Sequence, residues 1–195
     1  MQIEYINGWP LIVLPGVFNG VRVRTGLILA RAFERLSTRA AMRVLDLGTG
    51  TGLGAIFAAR HGARVVATDV NPEAVRCARL NASVNHLEDR IDVRLGDLFE
   101  TVRGEKFDLI LFNPPFYRGQ SLDFSDRAWR GLDVFDRFLR ELPEYLTGQG
   151  RALVVLSTDG DIEPALMAAT HLLKRIVMRR DLINEIVTVY EVQAA

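Results

Sequence analysis

The sequence predicts an α/β protein built on a seven-stranded, mostly parallel sheet, with one antiparallel strand in a C-terminal hairpin and helices on both faces. Three observations carry this. From Arg43 onward, short β-branched or Leu-rich runs alternate with helical patterns, the signature of βαβ units in a sheet covered on both sides. A glycine-rich turn, Gly48 to Gly54, follows the first of these runs and opens the next helix. The last two strand-like runs are joined only by Asp181-Leu182-Ile183-Asn184. Parallel neighbours need a crossover of about a dozen residues, so this pair is antiparallel.

The elements follow in order. The first strand of the alternation is Met42 to Leu47, and a helix runs from Ala55 to Arg60, stopped at Gly62. A strand from Arg64 to Thr68 ends at Asp69, after which Asn71 and Pro72 cap and open a helix to about Asn81. Ile91 to Leu95 and Phe107 to Phe112 are the next strands. The second of them runs into Asn113-Pro114-Pro115-Phe116, where two prolines forbid both helix and continued ladder. A helix from Asp133 to Leu146, a strand from Arg151 to Leu156 and a helix from Ile162 to Leu173 lead to two last strands, about Arg175 to Arg180 and Glu185 to Val192. The arrangement is Rossmann-like. Before it, residues 1–40 hold a strand at Leu11 to Leu14, a Pro15-Gly16 turn and an amphipathic helix from Thr25 to Leu36. All of 1–195 reads as one domain, with 41–195 as its core. Pro114 to Gly131 has no periodic pattern, and a loop of that length in a compact domain is more often a binding loop than an accident.

Composition narrows the function. About half of the 195 residues are hydrophobic (49%), enough to bury a sizeable core, so disorder is excluded as the main state. A single cysteine, Cys77, excludes an internal disulfide and thiolate zinc clusters, and His61, His86 and His171 are scattered without ligand spacing, so no metal is expected. The start, MQIEYINGWP, lacks the basic end and apolar run of a signal peptide. No apolar stretch reaches the roughly 18 residues of a membrane span. A soluble, cytoplasmic protein without membrane partners is the expectation. Lys plus Arg balance Asp plus Glu at 24 each, which argues against nucleic-acid binding through a global positive field. Yet Arg22, Arg24, Arg31, Arg35, Arg39 and Arg43 fall in one stretch with only Glu34 against them.

The glycine turn reads Asp46-Leu47-Gly48-Thr49-Gly50-Thr51-Gly52. Without side chains, backbone N–H groups at a helix N-terminus can approach an anionic or carboxylate-bearing ligand closely. From Gly48 the dinucleotide pattern G-x-G-x-x-G fails at Leu53, but from Gly50 the series Gly50, Gly52 and Ala55 satisfies its G/A variant. Asp69, followed by Val70, ends the second strand, where an acid can accept hydrogen bonds from both ribose hydroxyls of either NAD or S-adenosylmethionine. Asp97, followed by Leu98, ends the third strand on the same edge and would reach an adenine amino group; capping a helix before Leu98-Phe99 is the other use for such a residue.

The Asn113-Pro114-Pro115-Phe116 turn separates these cofactors. Together with the glycine turn and Asp69 it resembles the class I S-adenosylmethionine-dependent methyltransferases that modify planar amino nitrogens of adenine, guanine or glutamine. The resemblance implies S-adenosyl-L-methionine as cofactor and S-adenosyl-L-homocysteine as product. Asp46, Gly48, Thr49, Gly50, Gly52, Asp69, Val70, Asp97 and Leu98 then stand around the cofactor, with Asn113 between it and the target. The Asn113 oxygen and the Pro114 carbonyl would accept both N–H groups of a poorly nucleophilic nitrogen, Pro115 would hold the turn, and Phe116 would stack on the planar target. The stretch Asp126 to Leu139, with Leu142-Pro143 and Gly150-Arg151, is similar to the HemK/PrmC-like family of release-factor glutamine methyltransferases, and in outline to its short relatives in archaea and eukaryotes. Thr25 matches a family position near the methionine end of the cofactor. Phe116 stands where glutamine methyltransferases usually carry Tyr, and Arg22-Val23-Arg24 is basic where the short relatives tend to be acidic. Pro15-Gly16-Val17-Phe18 instead looks like the guanine methyltransferases of ribosomal RNA. The implied substrate is thus a protein glutamine or an RNA or DNA base, recognised by residues 1–40, the Pro114–Gly131 loop and any small activating partner protein. An NAD(P)-dependent oxidoreductase would leave the Asn-Pro-Pro-Phe turn unexplained, and a non-catalytic binding protein would not need both motifs.

Overall fold

The computed structural model describes residues 1–36, 41–122 and 126–195. In chain order the elements are β1 (Gln2–Ile6), β2 (Trp9–Val13), α1 (Thr25–Glu34), β3 (Arg43–Leu47), α2 (Leu53–Arg60), β4 (Arg64–Asp69), α3 (Pro72–Val84), β5 (Ile91–Leu95), β6 (Phe107–Phe112), α4 (Val134–Tyr145), β7 (Leu146–Ser157), α5 (Glu163–Ala168), β8 (Leu172–Leu182) and β9 (Glu185–Ala194). The main sheet runs β5-β4-β3-β6-β7-β9-β8. Its first five strands pair in parallel and β9 is antiparallel to both neighbours, as the short join before Glu185 requires.

Alternation along the central strands divides the core in two. On β6, Leu109 and Leu111 face one apolar cluster and Ile110 and Phe112 the other, which Phe107 also joins across the register shift before Leu109. On β7, Leu153 and Val155 oppose Val154 and Leu156 in the same way. The first cluster is closed by α1, α2, α3 and the β1–β2 hairpin, the second by α4 and α5. Strands buried on both faces in this manner read as continuous hydrophobic runs, which is why β6 reads Phe-Asp-Leu-Ile-Leu-Phe.

Helix α3 begins as its sequence requires, with Asn71 Oδ1 accepting from Glu73 N at 3.0 Å and Pro72 in the first turn. It runs on to Val84, and its C-terminal end, from Asn81 to the cap residue Asn85, holds the N-terminal hairpin. The Asn81 side chain, fully buried, donates to Ile12 O (2.7 Å) and Thr51 O (2.8 Å) and accepts from Ile12 N (2.7 Å). Asn85 Nδ2 donates to Pro10 O at 2.9 Å. Two asparagines therefore tie β2 to α3 and α3 to the glycine turn.

Four expectations change. β1, unforeseen, pairs antiparallel with β2. β7 starts at Leu146, not Arg151, because its first residue already pairs with Phe107; the register then shifts near Gly150, where a Cβ would sit 2.7 Å from Phe107 O. α5 ends at Ala168, not Leu173, since Leu172 and Leu173 join the long β8–β9 ladder. That ladder outweighs local helix propensity. The turn of this hairpin narrows to Ile183-Asn184. Arg39, one of the N-terminal arginines, and residues 123–125 of the Pro114–Gly131 loop lie outside the described residues. No described helix is long and apolar enough to cross a membrane, and no metal-binding group of His, Cys, Asp or Glu occurs among the described residues.

Candidate active site

The carboxyl ends of β3, β4, β5 and β6 open onto a cavity of about 360 Å³, within the range of small-molecule sites. Its floor is the glycine turn. Gly48, Gly50 and Gly52 have φ of +62°, +55° and +82°, a region that side-chain-bearing residues rarely enter. A Cβ on Gly48 or Gly50 would meet nothing nearer than 3.8 Å. It would project instead into free space, so the missing side chains leave room for a ligand against the backbone. Gly52 differs, since its Cβ would press on Ala78 at 3.2 Å; it allows α2 and α3 to pack.

Asp46 organises this turn from below. It is 5% exposed, and its Oδ2 accepts from Thr49 Oγ1 (2.6 Å) and Ala55 N (2.9 Å). Burial pushes its carboxyl up to about 6, the bonds from Thr49 and Ala55 oppose that, and the nearby Asp69 charge adds to it. A Cβ on Gly54 would lie 2.7 Å from Asp46 Oδ1, which explains the fourth glycine of the turn. Asp69 ends β4 with Oδ2 accepting from Gly50 N and Oδ1 from Asn71 N, both at 2.9 Å. Burial raises its pKa too, against backbone bonds from Asn71, Gly50 and Val70. Each of its oxygens retains acceptor capacity.

Val70, Asp97 and Leu98 line the cavity as well. Asp97 does not cap a helix: a three-residue 3₁₀ turn, Glu100–Val102, follows with no side-chain cap. Its Oδ2 instead accepts from Arg137 of α4 at 2.8 Å, a partner the sequence did not suggest.

The Asn113 side of the cavity is built differently. Asn113 leaves the end of β6 and donates from Nδ2 to Thr25 Oγ1 at 3.4 Å, while its Oδ1 is buried with no hydrogen-bond partner. Thr25, at the start of α1, is itself fully buried. Asn113 and Pro115 line the cavity; Pro114 and Phe116 do not. Phe116 is 7% exposed, packed in the α4 and α5 core, and its carbonyl accepts from Asp161 N at 3.0 Å. This corrects the expectation that its ring stacks on a target: the ring anchors the turn. The aromatic groups at the opening are Phe18, which lines the cavity, and Trp129, whose ring meets Phe18 edge-on with centroids 5.0 Å apart. That contact joins the N-terminal segment to the loop after the proline turn. The loop is pinned by Tyr117 N to Trp129 O (2.9 Å), Gly131 N to Tyr117 O (3.0 Å) and a bidentate pair from Arg118 to Asp136 (2.5 and 2.8 Å).

Fold and site together define a Rossmann-like methyltransferase architecture. The model of the methyltransferase small domain matches residues 8–181, and the chain belongs to that family. A Methanocaldococcus jannaschii protein bearing the name N5-glutamine methyltransferase is 41% identical over 59% of this chain and 61% of its own length. The ribosomal RNA small subunit methyltransferase C of Alcanivorax borkumensis is 34% identical over 75% of this chain and 45% of its own. Among solved structures, the T. thermophilus 16S rRNA N2 G1207 methyltransferase in complex with AdoMet and guanosine superposes with a TM-score of 0.78 at 25% identity, covering 100% of this chain and 50% of that one. The chain spans about half the length of the curated relatives it matches.

Proposed function

We infer that the protein is an S-adenosylmethionine-dependent N-methyltransferase acting on a planar amino or amide nitrogen of a macromolecule. The observation that carries this is the unpartnered, buried Asn113 Oδ1 beside a cavity that also holds the glycine turn and Asp69. A buried acceptor without a donor costs about 1–3 kcal/mol, and an N–H group of the target amine removes that cost. Membership of the methyltransferase small domain family and the likeness to a structure holding AdoMet support the cofactor.

The residues fit the cofactor. Asp69 would hold the ribose hydroxyls, Gly48, Thr49 and Gly50 the amino-acid portion over open backbone, and Asp97, Val70 and Leu98 the adenine; Thr25 stands at the Asn113 end. Bound there, S-adenosylmethionine supplies a methyl group on a positively charged sulfur, an electrophile. The protein's own part concerns the nitrogen. Its lone pair is delocalised into an aromatic ring or carbonyl, so it attacks poorly. Asn113 Oδ1 accepts one N–H, drawing electron density back onto nitrogen and fixing the direction of its lone pair, while the Thr25 hydroxyl keeps the amide turned so that oxygen, not nitrogen, meets the target. This is positioning and electrostatic stabilisation rather than strong base catalysis.

Transfer of labelled methyl from S-adenosylmethionine to fractions of a cell extract tests the reading. Label is expected in a macromolecular fraction, and thermal stabilisation is expected from S-adenosylmethionine but not from NAD; about 2.7 kcal/mol accrues at roughly a hundred times the dissociation constant. Stabilisation by NAD alone would refute it.

A further inference from the structure

We propose that the rim of the cavity is a binding surface for single-stranded nucleic acid, with Arg22 and Arg24 holding backbone phosphates while a base enters toward Asn113. The proposal rests on the methyltransferase reading and selects its substrate class. Arg22 and Arg24 lie between Gly20 and Gly26, two residues that line the cavity. Both arginines are exposed, and neither makes an ion pair among the described residues. The contrast with other arginines is direct: Arg43 pairs with Glu105, Arg118 with Asp136 and Arg137 with Asp97.

The backbone that presents them is fixed. Asn19 Oδ1 accepts from Val21 N (3.2 Å) and Arg22 N (3.1 Å), and its Nδ2 donates to Glu4 at 2.9 Å. Gly20 and Gly26 pass so closely that a Cβ on Gly26 would sit 3.1 Å from Gly20 Cα. Arg24 takes a left-handed conformation, φ +69°, immediately before Thr25, the residue bonded to Asn113. A non-glycine residue in that region costs about 1–3 kcal/mol and persists where the surroundings impose it. Here the conformation separates an exposed cation from the buried hydroxyl that follows it.

Neighbouring residues of the N-terminal segment and of the loop after the proline turn supply complementary chemistry. Arg130 lines the cavity with its guanidinium over the Tyr117 ring, 5.5 Å from the centroid, and Phe18 and Trp129 form the aromatic pair at the opening. Cations beside half-buried aromatic rings at the edge of a cavity are the elements by which proteins hold single strands, one for phosphates and the other for stacked bases. A polypeptide presenting glutamine carries no obligatory charge, so two uncompensated arginines would gain nothing from it. A nucleic acid brings a phosphate at every residue. With no net charge on the whole chain, this affinity has to be local.

The test is anisotropy binding of a labelled 20-nucleotide RNA and a DNA of the same sequence over a salt series, with S-adenosylhomocysteine present. The Arg22→Ala/Arg24→Ala variant is compared with Arg179→Ala/Arg180→Ala, an exposed pair on the edge strand β8, three strands from β6. Each phosphate contact on a single strand contributes about −0.7 to the slope of log K against log salt. The rim variant is expected to lose about 1.4 from that slope with unchanged cofactor affinity, and the edge variant to match wild type; the tighter of RNA and DNA identifies the source of the phosphates. An unchanged slope in the rim variant, or equal losses in both variants, overturns the proposal. Methyl label recovered only in protein overturns it too, while the methyltransferase reading stands. Label in no fraction strikes that reading instead, and the slope still decides this one.

Discussion

The glycine-turn side of the cavity and the Asn113 side satisfy their polar groups in opposite ways. Around the turn, Asp46 and Asp69 are each engaged by the backbone they organise, through Ala55, Gly50 and Asn71 N–H groups and the Thr49 hydroxyl. The turn is complete before a ligand arrives. Asn113 is held only through its nitrogen, by Thr25, and its oxygen is buried without a partner. A site whose groups are already bonded selects by shape and residual acceptor capacity. One with an orphaned acceptor demands a donor from the ligand, and its worth is realised only when the correct amine is present.

This contrast orders the expected effects. The largest is at Asn113: replacing it by Ala is expected to lower kcat by about 10²- to 10⁴-fold, the range for a preorganised group acting on the reacting atoms, measured as methyl transfer at saturating cofactor. Next comes Asp46. Its folded carboxyl is raised to about 6, so both states are protonated in acid, and the stability associated with that proton is lost as pH rises through 4 to 6. Asp46→Asn cannot titrate. Relative to wild type, the variant is expected to gain about 3 kcal/mol between pH 3 and pH 7, about 2 kcal/mol of it between pH 4 and pH 6, measured by urea unfolding across that range; parallel pH curves would show that Asp46 is not buried as described. Asp69→Ala is expected to weaken cofactor binding by about 1.5–3 kcal/mol, the usual worth of hydrogen bonds to a charged acceptor, read by calorimetry. The smallest effect belongs to Trp129→Leu, which removes the edge-on contact to Phe18. About 1 kcal/mol of that coupling is expected to appear in a double-mutant cycle with Phe18→Leu, with cofactor affinity unchanged.

The same division runs through what the sequence makes legible. Strands β3 to β6 and the cap of α3 follow from short-range rules: short β-branched or Leu-rich runs, an Asn-Pro start, and glycines at alternate positions. Asp46, Asp69 and Asn113 could be placed because each lies at or next to the carboxyl end of a parallel strand, and such ends share one edge of the sheet. What escaped depends on partners far away in sequence. β1 is a short strand with exposed residues, defined by its pairing with β2. Leu172 and Leu173 look helical until β9 is beside them. Phe116 reads as a stacking residue because the motif delivers an aromatic to the site, yet the α4 and α5 core claims its ring. Arg137 reaches Asp97 across 40 positions and Asn81 reaches Ile12 across 69. Each also has a local contact four positions back, Arg137 to Asp133 at 3.9 Å and Asn81 to Cys77 at 3.7 Å, and such helix-spaced pairs conceal the shorter bonds made to distant partners.

The separation of the two sides is measured most directly by taking Asp69→Ala and Asn113→Ala together and determining, for each, the dissociation constant of S-adenosylmethionine and kcat at saturating cofactor. A crossed pattern is expected: Asp69→Ala loses affinity but keeps kcat within about tenfold, whereas Asn113→Ala keeps affinity within a few-fold and loses turnover. Joint loss of affinity and turnover in both variants would contradict this account, since it would mean that Asn113 belongs to the same bonded unit as the glycine turn rather than waiting for the amine.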